Sequence, residues 1–161
     1  MTEKTEAGSG EKKVASAFGK SISYRIAHLA HHTNMLVTDY LTPLKLTLPQ
    51  CRVLIVLHYY GKLTIGDISR HALIRQSTLS RVVDRMEELK LVKRNSKSGN
   101  RRLVHVSLAK KGQDMYETIS PFAPSLNKLL ASALSDEELE TLMQIFDKLS
   151  DKLDEGRLGI K

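Results

Sequence analysis

The hydrophobic period changes twice along this chain, and these changes constrain its fold more than any other feature. From Phe18 up to residue 90 the apolar residues recur at helical spacing. Residues 91–94 and 103–108 read instead as two short strands, joined by a polar, basic, turn-forming stretch at 95–102. Helical spacing returns after Gly112. The sequence therefore predicts a mainly α protein with one small β-hairpin set between helices.

Proline and capping residues mark the predicted helix boundaries. The first long helix ends before Pro43, and the two prolines at 121 and 124 predict a break near Ser120. Start signals occur where a proline fits a first helical turn or where a hydroxyl precedes an acid by three residues, at Pro49, Thr64 and Ser135.

Charge is segregated along the chain. Residues 64–112 carry 12 Lys and Arg against 4 Asp and Glu, whereas residues 113–155 carry 3 against 10. A positive field confined to one segment indicates a polyanionic partner, with nucleic acid ahead of an anionic membrane surface. The acidic segment would be repelled by that partner, so we expect it to face elsewhere.

Composition excludes several classes of protein. No apolar run approaches the roughly 20 residues that a membrane span needs, and residues 1–13 read as a disordered polar tail rather than a signal peptide. A single cysteine, Cys51, allows no internal disulfide. Together these features predict a cytoplasmic protein with no membrane partner. Nucleophile-elbow, P-loop, dinucleotide-turn and HExxH motifs are absent, so neither an enzyme nor a cofactor is predicted.

Two short helices followed by a basic hairpin are typical of a winged helix-turn-helix. In the predicted fourth helix, the stripe Leu79, Val82, Val83, Met86 and Leu89 turns Ser77, Ser80, Arg81, Asp84 and Glu88 outward. Carboxylates would be repelled by phosphates, so the N-terminal half of this helix should enter the major groove. Arg81 is the predicted base reader because its fork matches guanine O6 and N7.

Four segments carry a resemblance to a known family: residues 46–54 (LTLPQCRVL), 77–87 (STLSRVVDRME), 91–94 (LVKR) and 101–112 (RRLVHVSLAKKG). Their order and spacing resemble the multiple-antibiotic-resistance regulator (MarR) family across nearly the whole ordered chain. The resemblance implies one domain over residues 14–161, with dimerisation helices at 14–45 and 113–155 around a DNA-binding lobe at 46–112. It also implies a homodimer on an imperfect DNA palindrome, often a repressor released by a small phenolic or aromatic-acid effector.

The predicted DNA contacts follow from this reading. The family's groove-reading helix falls on residues 75–90, and its wing arginine falls on Arg102 with Arg101 beside it. The predicted DNA-binding set comprises Arg75, Gln76, Ser77, Thr78, Ser80, Arg81 and Arg85 on the helix and Lys97, Arg101 and Arg102 on the wing. The effector crevice of the resembled family adds His28, His32 and Arg52.

Three positions depart from the family pattern. Asn100 replaces the Asp of the usual wing Asp-x-Arg, which removes a carboxylate that orients the wing. Leu73 stands where helix-turn-helix sequences favour glycine, so the turn must be built without one. Lys90 stands where family members commonly end the reading helix with glycine.

The histidine pair on the first helix and the single cysteine each allow a structural interpretation as well as a functional one. His28 and His32 have the i, i+4 spacing of a metal pair, but no acid or thiolate lies nearby in sequence, and no metal site is predicted. Cys51 reads better as an inert packed residue than as a redox sensor. The alternative to a DNA-binding regulator is a winged-helix interaction or scaffold module with incidental nucleic-acid affinity.

Overall fold

The computed structural model describes residues 19–96 and 104–157. In these ranges the elements follow the order α1 (Ile22–Leu41), a 3-10 turn (Thr42–Leu44), α2 (Leu48–Tyr60), β1 (Leu63–Thr64), α3 (Ile65–Ala72), α4 (Gln76–Glu88), β2 (Val92–Ser96), β3 (Val104–Leu108), α5 (Lys110–Ile119), α6 (Phe122–Ala131) and α7 (Asp136–Arg157). The predicted tail at residues 1–13 lies outside the described residues. The mainly α fold with a small β-hairpin is confirmed.

Contacts divide the chain into two compact units, Met1–Tyr116 and Glu117–Lys161. The boundary falls inside α5, a few residues after residue 113, where the predicted C-terminal dimerisation helices begin. The single domain over residues 14–161, with dimerisation helices on both sides of the DNA-binding lobe, stays a prediction.

The core of the first unit lies among α2, α3, α4 and the sheet, which contact one another. Its largest fully buried side chains include Leu54, Ile68, Leu79 and Met86 from the helices and Val106 from β3. Three antiparallel strands lie in the order β1-β3-β2, with Leu63 and Arg94 both paired to Val106. The two-residue strand β1 was not predicted.

Helix caps occur where the sequence predicted them. The Thr47 hydroxyl accepts from the Gln50 N–H while the Gln50 side chain accepts from the Thr47 N–H, with Pro49 in the first turn of α2. The hydroxyl of Thr64 caps α3 by accepting from the Asp67 N–H at 3.2 Å. In the second unit, the hydroxyl of Ser135 and the carboxylate of Glu138 form the predicted capping box of α7, and α5 ends at Ile119 before Pro121.

Two turns that normally use glycine are built here from other residues. Leu73, between α3 and α4, has a φ of 55°, and the hydroxyl of Ser69 supports the turn by donating to the Ile74 carbonyl at 2.6 Å. Lys90, after α4, has a φ of 60°, and the Leu91 N–H closes the turn on the Met86 carbonyl at 2.8 Å. A left-handed conformation costs a non-glycine residue roughly 1–2 kcal/mol. Local hydrogen bonds therefore hold both turns where sequence preference does not.

Gly112 is required by a close backbone approach. It lies inside α5, which begins at Lys110 rather than after Gly112 as the sequence predicted. A Cβ at this position would lie 1.9 Å from the carbonyl oxygen of Leu91. No side chain fits here, so glycine allows α5 to pass directly over the chain entering the wing.

We expect Gly112→Ala to lower the free energy of unfolding by about 1–3 kcal/mol, because the added methyl group overlaps the Leu91 carbonyl. Gly66→Ala is the matched control in α3, since its Cβ would meet only Thr64 Oγ1 at 3.8 Å. For Gly66→Ala the free energy of unfolding should rise by up to about 1 kcal/mol, because alanine favours the helix more than glycine does. Urea unfolding of both variants measures the difference, and a gain in stability at both positions would contradict the overlap.

Candidate nucleic-acid interface

The amphipathic reading of α4 is confirmed for three of the five residues of the predicted apolar stripe, whereas Val82 and Leu89 are half-buried. Leu79, Val83 and Met86 are completely buried. All of the helix residues predicted to contact DNA are exposed: Arg75, Gln76, Ser77, Thr78, Ser80, Arg81 and Arg85. The packing of the apolar face thus presents a hydroxyl- and arginine-bearing face to solvent.

The N-terminal end of α4 is open and positively polarised. Arg75 occupies the N-cap position, and no side-chain hydrogen bond caps the helix. The first backbone N–H groups of a helix lack intrahelical partners and carry the positive end of its dipole, which favours an anion. Arg81 makes no hydrogen bond or ion pair with any described residue. Its guanidinium is available to an external acceptor.

Asp84 and Glu87, in the C-terminal half of α4, are paired with an arginine that sequence reasoning missed. Arg94 of β2 contacts Asp84 Oδ1 through Nη2 at 2.5 Å and Glu87 Oε2 through Nη1 at 2.7 Å. Its backbone N–H also donates to Glu87 Oε1 at 3.2 Å. Glu88 pairs with Arg85 at 2.7 Å. The acids that were predicted to keep this half away from phosphates are therefore largely neutralised within the protein.

The environment of Arg94 favours its charged form. Partial burial lowers the pKa of Arg94, but the hydrogen bonds and charges of Asp84 and Glu87 outweigh burial and hold this pKa above its ordinary value. Strand alternation could have indicated that Arg94 faces the protein, because Arg94 lies two residues after the buried Val92 and so shares its face. The exposed Lys93 lies on the opposite face.

A cleft of about 380 Å³ lies between the start of α2 and the outer face of α4. Its lining combines three hydroxyls, one amide, two guanidinium groups and one valine, and it comprises Thr47, Gln50, Ser77, Thr78, Arg81, Val82 and Arg85. Four of the predicted DNA-contacting residues therefore share one concave surface. Sequence reasoning did not predict that Thr47 and Gln50 would adjoin them.

The tip of the wing lies outside the described residues, and with it the predicted contacts Lys97, Arg101 and Arg102 and the departure at Asn100. The two strands that carry the tip are described. They pair from Val92 with Leu108 to Ser96 with Val104, so the predicted hairpin is confirmed up to its tip.

The predicted effector residues lie in the N-terminal half of the first unit. His28 and His32 are exposed on α1, with ring centroids 4.2 Å apart. Arg52, in α2, is half-buried, and its Nη2 donates to Asn34 Oδ1 of α1 at 3.4 Å. Among the described residues, no group of three or more His, Cys, Asp or Glu side chains could hold a metal ion.

A short helix, a tight turn, a second helix with an exposed polar face and an antiparallel hairpin define a winged helix-turn-helix protein. The MarR family model matches residues 44–103, which span α2 to the wing. This segment of the chain matches the MarR family, as the resemblance predicted, and the curated relatives that the chain resembles are transcriptional regulators.

Three relatives illustrate the similarity. HTH-type transcriptional repressor MdtR of Bacillus subtilis (strain 168) is 26% identical over 101 residues, 63% of this chain and 65% of MdtR. MarR family transcriptional regulator SPO1453 from Silicibacter pomeroyi DSS-3 has a TM-score of 0.74 at 25% identity, covering 84% of this chain and 97% of its own. Bordetella bronchiseptica BpsR, whose DNA binding is regulated by 6-hydroxynicotinic acid, has a TM-score of 0.66 at 25% identity, covering 78% and 98%.

MdtR is a transcriptional repressor and SPO1453 is a transcriptional regulator, which agrees with the prediction of a non-catalytic protein. Within the described residues, every helix is too short or too polar to cross a membrane.

Cys51 is buried in α2, and burial raises the pKa of its thiol despite the opposing charge of Arg52. A raised pKa leaves less thiolate at neutral pH, and the thiolate is the reactive form. We expect iodoacetamide to alkylate the native protein on the order of tenfold or more slowly than the urea-unfolded protein, with Cys51→Ala as the blank. Equal rates in both states would support the redox-sensor reading instead.

Proposed function

We propose that this protein is a sequence-specific, dimeric transcriptional regulator that places the N-terminal half of α4 in the major groove of an imperfect palindrome. The observation that carries the proposal is the outer face of α4. It exposes Ser77, Ser80 and Arg81 beside an uncapped helix start, and the acids that follow them are paired. A helix fits the major groove, where each base pair presents a distinct pattern of donors and acceptors.

The predicted contacts divide into those of the helix α4, in the major groove, and those of the wing, in the minor groove. Arg81 reads a guanine, while Arg75, Gln76, Ser77, Thr78, Ser80 and Arg85 contact neighbouring bases or phosphates. The wing residues Lys97, Arg101 and Arg102 enter the adjacent minor groove, whose negative potential attracts arginine. Base contacts determine sequence preference, whereas phosphate contacts determine affinity and its salt dependence.

Dimerisation is supported by apolar side chains that each unit leaves exposed. In α1 these are Ile22, Ile26, Leu29, Met35 and Leu36, each at least 45% exposed. Among the described residues of the second unit, Ile119 is the one buried apolar residue, while Met143, Phe146 and Leu153 of α7 are exposed. A second copy of the chain would cover such faces and present two reading helices about one DNA turn apart.

We further propose that the protein represses transcription and releases DNA when a small aromatic acid binds. MdtR is a repressor, and 6-hydroxynicotinic acid regulates the DNA binding of BpsR. The proposed effector contacts are His28, His32 and Arg52, because cationic or hydrogen-bonding side chains on α1 and α2 suit a carboxylate. This function would place the protein with the chromosome, in the cytoplasm.

Arg81→Ala should lower the preference for a selected palindromic duplex over a random duplex by about 1–3 kcal/mol, because a bidentate arginine–guanine contact is lost. Arg102→Ala is the comparison: it should weaken binding to both duplexes and reduce the salt slope by about one. Fluorescence anisotropy at two salt concentrations measures both effects and the stoichiometry of two chains per palindrome. If the wild-type protein shows neither salt dependence nor palindrome preference, the scaffold reading is favoured.

Effector release is tested with the wild-type protein on its selected duplex and a panel of phenolic and aromatic carboxylic acids that includes 6-hydroxynicotinic acid. In the double variant His28→Ala/His32→Ala, the concentration of an active acid that releases half of the DNA should rise about tenfold or more. A hydrogen bond to a charged group contributes about 1.5–3 kcal/mol, and this contribution is lost. His31→Ala, on the same helix, is the control. Release that is unchanged in the double variant removes this pair from the effector site.

A further inference from the structure

Arg94 is the one residue of the wing strands seen to bridge two acids of the reading helix, within the part of the chain that the structure describes. Its side chain is 31% exposed, whereas that of Asp84 is 57% exposed and that of Glu87 is 40% exposed. The backbone N–H of Arg94 holds Glu87 as well, at 3.2 Å. The planar guanidinium fork can serve two carboxylates at once, which a lysine ammonium on a flexible stem does poorly.

The position of Asp84 makes this bridge relevant to DNA reading. Asp84 follows Arg81 by three residues, so the two side chains are neighbours on the helix surface. Ion pairs at this spacing do form in the protein: Arg85 pairs with Glu88 in the same helix, and Arg70 pairs with Asp67 in α3. Arg81 nevertheless makes no such pair with any residue that the structure describes, and the carboxylate of Asp84 contacts Arg94 instead.

We propose that Arg94 is a positioning residue for DNA reading, which holds Asp84 away from Arg81 and thereby keeps the Arg81 guanidinium available to a base. This inference rests on the proposed function and deepens it. Without Arg94, the carboxylate of Asp84 competes with the guanine for Arg81. Glu87 lies six residues from Arg81, on a different side of the helix, and its release adds negative charge without offering Arg81 a partner.

The different positions of the two acids allow a charge-matched test. Arg94→Gln should lower the preference for the selected over the random duplex about five- to tenfold, close to the effect of Arg81→Ala. Adding Asp84→Asn should restore that preference to within about twofold of the wild-type value. Adding Glu87→Gln instead gives a protein of the same net charge and should leave the preference low.

Lys152→Gln is the control for loss of one cation from an exposed ion pair, because Lys152 pairs with Glu155 in α7 at 2.9 Å. It should leave the preference unchanged. Urea unfolding accompanies each binding measurement. Where Arg94→Gln is poorly folded, Arg94→Lys takes its place, because an ammonium group keeps the charge and still fails to hold both carboxylates.

Recovery with Asp84→Asn alone supports the inference, since a purely structural brace would not distinguish the two acids. Equal recovery in both double variants overturns the inference. Recovery in neither double variant also overturns it, and this is the result expected if Arg94 contacts DNA itself. Wild-type protein that shows no preference for a selected duplex would refute the proposed function. A wild-type preference that survives Arg94→Gln refutes only the role of Arg94.

Discussion

Burial of one face of α4 is the interaction on which the surface proposed to contact DNA depends. Leu79, Val83 and Met86 are completely buried in a core shared with α2, α3 and β2. Full burial of a side chain of this size contributes about 1.5–3 kcal/mol, so rotation of α4 about its axis would forfeit most of that stabilisation. Side chains in the core thus determine which side chains face outward, including those of Ser77 and Arg81.

A polar constraint operates at the other end of the same helix. Arg94 pairs with Val106 in the sheet and with Asp84 and Glu87 on α4. Val106 is completely buried at the centre of the three strands, so the base of the wing is anchored both to the core and to the reading helix. Apolar burial sets the rotation of α4, while the ionic bridge determines which of its charged groups remain available.

The two units differ in how far each can stabilise itself. The first unit contains nearly all of the buried apolar residues among the described positions, whereas the second contains Ile119 alone. Helices gain most of their stability from packing an apolar face, and α7 leaves Met143, Phe146 and Leu153 exposed. The surface proposed to read DNA lies in the first unit, whereas the exposed apolar side chains proposed for self-association lie on α1 of the first unit and on α7 of the second.

Helix starts at Pro49, Thr64 and Ser135, the outward face of α4 and the hairpin could all be predicted, because caps and periodicity involve residues only a few positions apart. The sequence by itself determined these elements and the exposure of Arg81. Only the tertiary structure decided the short strand β1, the place of Gly112 against Leu91 and the pairing of Arg94 with Asp84. Each of these depends on residues 10 to 43 positions apart, from Asp84 with Arg94 to Leu63 with Val106, that the folded core brings together.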